Sequence, residues 1–130
     1  MRRLLPLVLL CGFSSVDATE TFAERVALAK KIESQKEGAA YLFGSFFPAL
    51  GPAMGGIMKK CLVTDGASQE KFALIANVSL NGDLIDVDFE PKANSTATCF
   101  VKDFGTLKAP PPPICECGAL PVTIDIEVKP

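Results

Sequence analysis

Leu74-Ile75-Ala76-Asn77-Val78-Ser79-Leu80-Asn81-Gly82-Asp83-Leu84-Ile85-Asp86-Val87-Asp88-Phe89 places apolar residues at every second position on either side of an Asn-Gly pair. That pair is the signature of a two-residue type I′ hairpin, whose central residues both take a positive φ that asparagine and glycine tolerate. Setting Leu80 opposite Asp83 then puts Val78 against Ile85, Ala76 against Val87 and Leu74 against Phe89. The bulky apolar pairs share one side of the ribbon. The other side pairs Asn77 with Asp86 and Ile75 with Asp88, and is expected to be mostly wet.

Beyond Pro91 the pattern turns helical. Asn94 or Ser95 can cap a helix, because a short polar side chain there accepts from a free backbone N–H. Ala97, Phe100, Val101 and Phe104 form its apolar stripe, and Gly105 can end it. Pro110 to Pro113 must be extended, since each proline fixes φ and lacks a donor. Val122, Ile124, Ile126 and Val128 then alternate with Thr123, Asp125, Glu127 and Lys129, which reads as a strand with one buried face. A helix separates this strand from the hairpin. The strand is therefore expected to return beside the hairpin's first strand by a right-handed crossover, giving a ββαβ three-stranded sheet over 72–129 with one packing helix.

Upstream, Thr21-x-x-Glu24 is a capping box. Phe22, Val26, Ala29 and Ile32 recur at helical spacing, and Glu24, Arg25, Lys30, Lys31, Glu33 and Lys36 cover the outer face, so an amphipathic helix is expected as far as Gly38. From Gly38 to Met58 no residue is charged. A spanning helix is weighed and set aside, because Pro48, Pro52 and five glycines interrupt the run. The expected arrangement is a helix near 39–47, a turn through Pro48 and a second helix over 52–61, with Lys59 and Lys60 at its negative end. Buried helices of a core are the favoured reading of this stretch, ahead of an apolar surface facing a membrane or a protein. Asp65-Gly66 marks a turn. The fold class is thus α+β: a helical part over 19–62 followed by the ββαβ part.

The first residues read as an export signal. Met1, Arg2 and Arg3 form a basic start, Leu4 to Phe13 an apolar run, and Val16-Asp17-Ala18 offers the small residue a signal peptidase needs. Residues 1–18 are expected to be cleaved, leaving 19–130 as one mature domain that is exported to the periplasm, or alternatively outside the cell. Removing Arg2, Arg3 and Asp17 from 13 basic and 15 acidic side chains leaves 11 and 14, a net charge of −3. Without clustered Lys and Arg, nucleic acid is excluded as a partner. Four cysteines remain, Cys61, Cys99, Cys115 and Cys117, and an even count in an exported chain reads as disulfides. Pairing Cys61 with Cys99 staples the helical half to the later half across a long loop. Cys115 and Cys117 are left to each other or as free thiols.

The segment from Phe72 to Lys129 resembles the C-terminal domain of TonB-type energy transducers and of related gliding-motility proteins. The matching pieces are Val78 to Val87 with the glycine turn, Asn94-Ser95 with Ala97 and Cys99, Phe104-Gly105-Thr106-Leu107 running into Pro110-Pro111, and Leu120-Pro121-Val122 to Val128. The resemblance implies a periplasmic domain of a Gram-negative bacterium that binds a partner's extended segment by strand addition at a sheet edge. The chain departs from those transducers in its cleavable start, its lack of histidine, the missing Pro-rich spacer and the missing tryptophan at the end of the helix. Only the mode of binding carries over.

The sequence contains no histidine, which excludes Ser-His-Asp and Cys-His catalysis and histidine-ligated zinc. Asp86, Asp88 and Glu90 lie in a row and are read as the solvated face of a half-buried ribbon, ahead of paired-carboxylate catalysis or calcium binding. Cys115-Glu116-Cys117 is read as structural ahead of thiol exchange or metal binding. The sequons at Asn77 and Asn94 are incidental, since a strand and a helix cap already explain them. The expected function is a non-catalytic binding or structural module with no cofactor and no metal, whose partner is an envelope or periplasmic protein. The alternatives are a thiol-disulfide protein using Cys115 and Cys117, and a membrane-surface protein using residues 38–58.

Overall fold

The computed structural model describes residues 20–113 and 118–129. The expected signal peptide, Cys115 and Cys117 lie outside the described residues. Four helices and three strands follow in the order α1 (Phe22–Glu33), α2 (Lys36–Tyr41), a π-helical turn (Leu42–Phe46), α3 (Phe47–Leu62), β1 (Phe72–Val78), β2 (Leu84–Glu90), α4 (Ser95–Phe104) and β3 (Leu120–Ile126). The sheet order is β2-β1-β3, and β1 pairs antiparallel with both neighbours. The expected α+β class and the return of the last strand beside the first strand of the hairpin are both present.

The hairpin differs from expectation at its turn. Gly82 alone takes a positive φ there, its N–H donates to the Ser79 carbonyl, and Ser79 N–H donates to the Asp83 carbonyl. The loop is therefore three residues, Leu80-Asn81-Gly82, a turn followed by a left-handed glycine, and not a two-residue type I′ loop. One extra loop residue shifts the register, so Val78 faces Leu84 and Asn77 faces Ile85. The expected pairing of Val78 with Ile85 is thereby corrected: Leu84 is buried and Ile85 is exposed. The slip is reversed further along. Asp86 takes φ 53°, two residues of β2 stand opposite Ala76, and beyond this bulge Ile75 meets Asp88 and Leu74 meets Phe89 as expected. Aspartate is among the few side chains that tolerate the left-handed region.

Phe72, Leu74, Ala76 and Val78 of β1 join Leu120, Val122 and Ile124 of β3 in one core with Phe46, Leu50, Cys61, Ala97, Phe100 and Phe104. The opposite face is not the wet surface expected. Ile75 is fully buried, Pro121 is buried, and α1 packs on β3 and β1. Arg25 on α1 donates to the Asp86 carbonyl at 2.7 Å. The sheet thus lies between α1 on one face and α3 with α4 on the other. A mostly polar helix is enough to cover a face on which Ile75 is the one large apolar side chain of β1.

Thr21 and Glu24 close their capping box as expected. The helix ends at Glu33, however, short of Gly38. Gly38 falls instead inside α2, where a Cβ would collide with the Ile32 carbonyl, so glycine permits the close approach between the two helices. The expected turn through Pro48 is also absent. The Phe47 N–H donates five residues back to the Leu42 carbonyl, and this wider turn leads directly into α3 with Pro48 in its first turn, where a missing N–H costs nothing. Pro52 is accommodated inside α3. No described helix is long and apolar enough to cross a membrane. Burial holds for one side of the uncharged run; Phe43, Pro48, Ala49, Pro52 and Ala53 are exposed on the other.

Asn94 caps α4 by accepting from the Ala97 N–H at 2.9 Å, and its own amide donates to the Glu70 carbonyl. Thr96 donates to the Ser68 carbonyl at 2.6 Å. These two buried polar side chains pin the 63–71 loop to the helix, so their burial is satisfied. The Tyr41 hydroxyl donates to the Pro110 carbonyl at 2.6 Å, and burial pushes its pKa to about 12. That bond ties the proline run to the core.

Candidate functional site

The two outer strands of the sheet present unequal edges. In an antiparallel ladder successive residues direct their backbone groups to alternate sides. Ser79 donates to Asp83 across the hairpin, so Asn77, Ile75 and Ala73, two, four and six residues before it, also face β2. Phe72, Leu74, Ala76 and Val78 therefore face β3, where their partners are Ile126, Ile124, Val122 and Leu120. The remaining residues of β3, Pro121, Thr123 and Asp125, turn their backbone groups outward. Pro121 sits at one of these positions, where its missing N–H breaks no ladder bond. Among the described residues no hydrogen bond reaches the outward N–H groups of Thr123 and Asp125 or the outward carbonyls of Pro121, Thr123 and Asp125.

The β2 edge is closed. The Ala109 N–H donates to the Gly82 carbonyl at 2.8 Å, Lys108 forms a bridge with Asp83, and the Arg25 guanidinium covers the Asp86 carbonyl. The same approach of the 108–109 segment forbids any side chain at Gly82, where a Cβ would collide with the Ala109 carbonyl oxygen. The bulge at Asp86 twists the edge further out of register with any incoming strand. Lys108 holds the Asp83 carboxyl below the usual carboxylate range through a hydrogen bond at 2.7 Å. Partial burial raises the pKa of Asp88, but its ion pair with Lys92 and the Phe89 N–H outweigh that and leave the carboxyl below its usual range. β2 thus carries bulge, charge and backbone cover, whereas β3 carries a proline and a regular seven-residue ladder.

The expected site residues fall as follows. Cys61 and Cys99 form a disulfide with Cα atoms 5.8 Å apart, linking the end of α3 to the middle of α4. A formed bridge suggests an oxidising compartment. Asp86, Asp88 and Glu90 do not act as one row: Asp86 is displaced by the bulge and meets the Asn77 amide, Asp88 is engaged by Lys92, and neither Asp86 nor Glu90 has an ion-pair partner among the described residues. No group of three described His, Cys, Asp or Glu side chains is placed to hold a metal ion. Asn94 is buried and committed to its cap. The resemblance named an edge without saying which; the signal that distinguishes β3 was Pro121, since proline within a strand marks an edge.

The chain was compared with known proteins at three levels: it matches no protein-family model, no curated protein and no solved structure.

Proposed function

We propose that the chain is an exported, non-catalytic module that binds an envelope protein by taking an extended segment of it as a fourth strand on the outer edge of β3. The observation that carries this reading is the contrast between the edges: β2 is closed three ways, and β3 offers a backbone row from Pro121 to Asp125 that no described residue pairs with. Main-chain bonding of this kind supplies affinity with little demand on the partner's sequence. The Cys61–Cys99 disulfide supports an oxidising compartment, and the resemblance of 72–129 to TonB-type C-terminal domains supports a periplasmic one with the same mode of binding.

Thr123→Pro tests the reading. Its ring removes the outward N–H at the centre of the edge, which an incoming strand needs as a donor, and leaves the bonds to β1 intact, as the ring of Pro121 does two residues earlier. The mature chain immobilised against Gram-negative envelope extract is expected to retain a protein that the Thr123→Pro variant retains roughly tenfold less well. Thr123→Val, which keeps the N–H, is expected to bind like the parent. Equal retention by the proline variant, or no retained protein, would overturn the reading.

A further inference from the structure

A cleft of about 860 Å³ opens where β1 begins and β2 and β3 end, and its lining includes Phe22, Lys71, Ala73, Glu90, Lys92 and Asp125. Ala73 pairs with Glu90 on one side and with Asp125 on the other. The three side chains therefore form a row across the sheet on the face that α1 covers elsewhere, with a methyl group as floor between two carboxylates roughly 10 Å apart. Phe22, at the start of α1, is the aromatic wall.

The charges of this cleft are unevenly committed. Lys92 is bound to Asp88 and lies over the Phe89 ring, and Glu127, also in the lining, pairs with Lys129. Glu90 and Asp125 have no ion-pair partner among the described residues, and they face the single uncommitted cation Lys71. The slot is net negative. Asp125 also stands on β3, so the cleft continues directly from the open edge. In a sheet extended by one strand, the residue opposite Asp125 lies on this same face. A long cationic side chain there passes Asp125 and lies over Ala73 towards Glu90, against the face of Phe22, where opposite-charge cross-strand pairing and cation–π attraction both favour it.

We infer that the segment bound by β3 carries an arginine or lysine facing Asp125, and that its side chain occupies the cleft between Asp125 and Glu90. This rests on the strand-addition reading. Three capped synthetic heptapeptides test it: Val-Thr-Val-Arg-Val-Thr-Val, the same peptide with glutamine for arginine, and Val-Thr-Arg-Thr-Val-Thr-Val, which moves the arginine to the other face. Titrated into the full mature chain, the first is expected to bind roughly tenfold tighter than either of the others. In the Glu90→Gln/Asp125→Asn variant that advantage is expected to vanish, while the glutamine peptide binds as before. If the first two peptides bind equally to the parent chain and both are weakened by Thr123→Pro, strand addition stands and the cationic slot is wrong. If no peptide binds, or Thr123→Pro weakens none, strand addition fails and the slot fails with it.

Discussion

Replacing Cys61 and Cys99 together by alanine is expected to lower the unfolding free energy by about 4 kcal/mol, the chain-entropy value for a loop of this length. The bridge joins residues 38 apart in sequence and connects α3 to α4, the helices that precede and follow the hairpin. Without it the denatured chain gains freedom over the whole 61–99 segment, which includes the hairpin. Cys61 is fully buried, so alanine leaves no unsatisfied polar group to confuse the result. Thermal melting should fall by roughly 15 °C, and the denaturant m-value should rise because the unfolded state becomes more expanded. Both are read from circular dichroism of the double variant beside the parent. An unchanged melting temperature would mean that the two halves are held together by packing alone.

A similar loss is expected from Phe100→Ala, for a different reason. Phe100 is fully buried, stacks on Phe104 with ring centroids 5.6 Å apart, and meets Phe72 edge-on at 6.0 Å. It is the point at which α4, β1 and the core touch. Truncation removes a large transfer free energy and leaves a cavity that the two remaining rings cannot close, at a cost of about 4 kcal/mol. Phe43→Ala is the matched comparison: the ring is 60% exposed on the outer side of the helical stretch, and its loss should cost less than about 0.5 kcal/mol. Chemical denaturation of the two variants gives the ratio. Comparable losses would place Phe43 in the core and reverse the outward face of the π-helical turn.

The parts of this fold that were legible in the sequence are those fixed by local chemistry. Asn94 caps α4 because a short polar side chain precedes a helical stripe, and Ala97, Phe100 and Phe104 are buried at the spacing that stripe dictates. Thr21 and Glu24 close their box for the same local reason. The even positions of β1 and β3 face the core because the side-chain period of a strand is two. What was not legible depends on contacts distant in sequence. Asn81-Gly82 fits a two-residue turn as well as a three-residue one, and the choice is made where Ala109 docks on Gly82. The bulge at Asp86 follows from that choice, because it restores the register that places Leu74 against Phe89. Ile75 looked exposed only because its cover, α1, lies some 45 residues earlier. Pro48 looked like a helix breaker because a π-helical turn, which re-routes the Phe47 N–H, has no sequence signature of its own.

The proposed binding edge was half legible. Alternation gave the strand and Pro121 marked it as an outer one, but the closure of the competing β2 edge needed Arg25, Lys108 and Ala109 to arrive from other parts of the chain. Glu90 was visible as a strand carboxylate, and its opposition to Asp125 across Ala73 emerged only with the pairing of β3 on β1.

The most direct measurement is residue-resolved amide exchange of purified protein spanning residues 19–130 by NMR. An open β3 edge predicts fast exchange at Thr123 and Asp125 and slow exchange at Val122 and Ile124, whose N–H groups bond to β1. Protection of Thr123 and Asp125 equal to that of Val122 and Ile124 would mean that the edge is already covered, and would contradict binding by strand addition there.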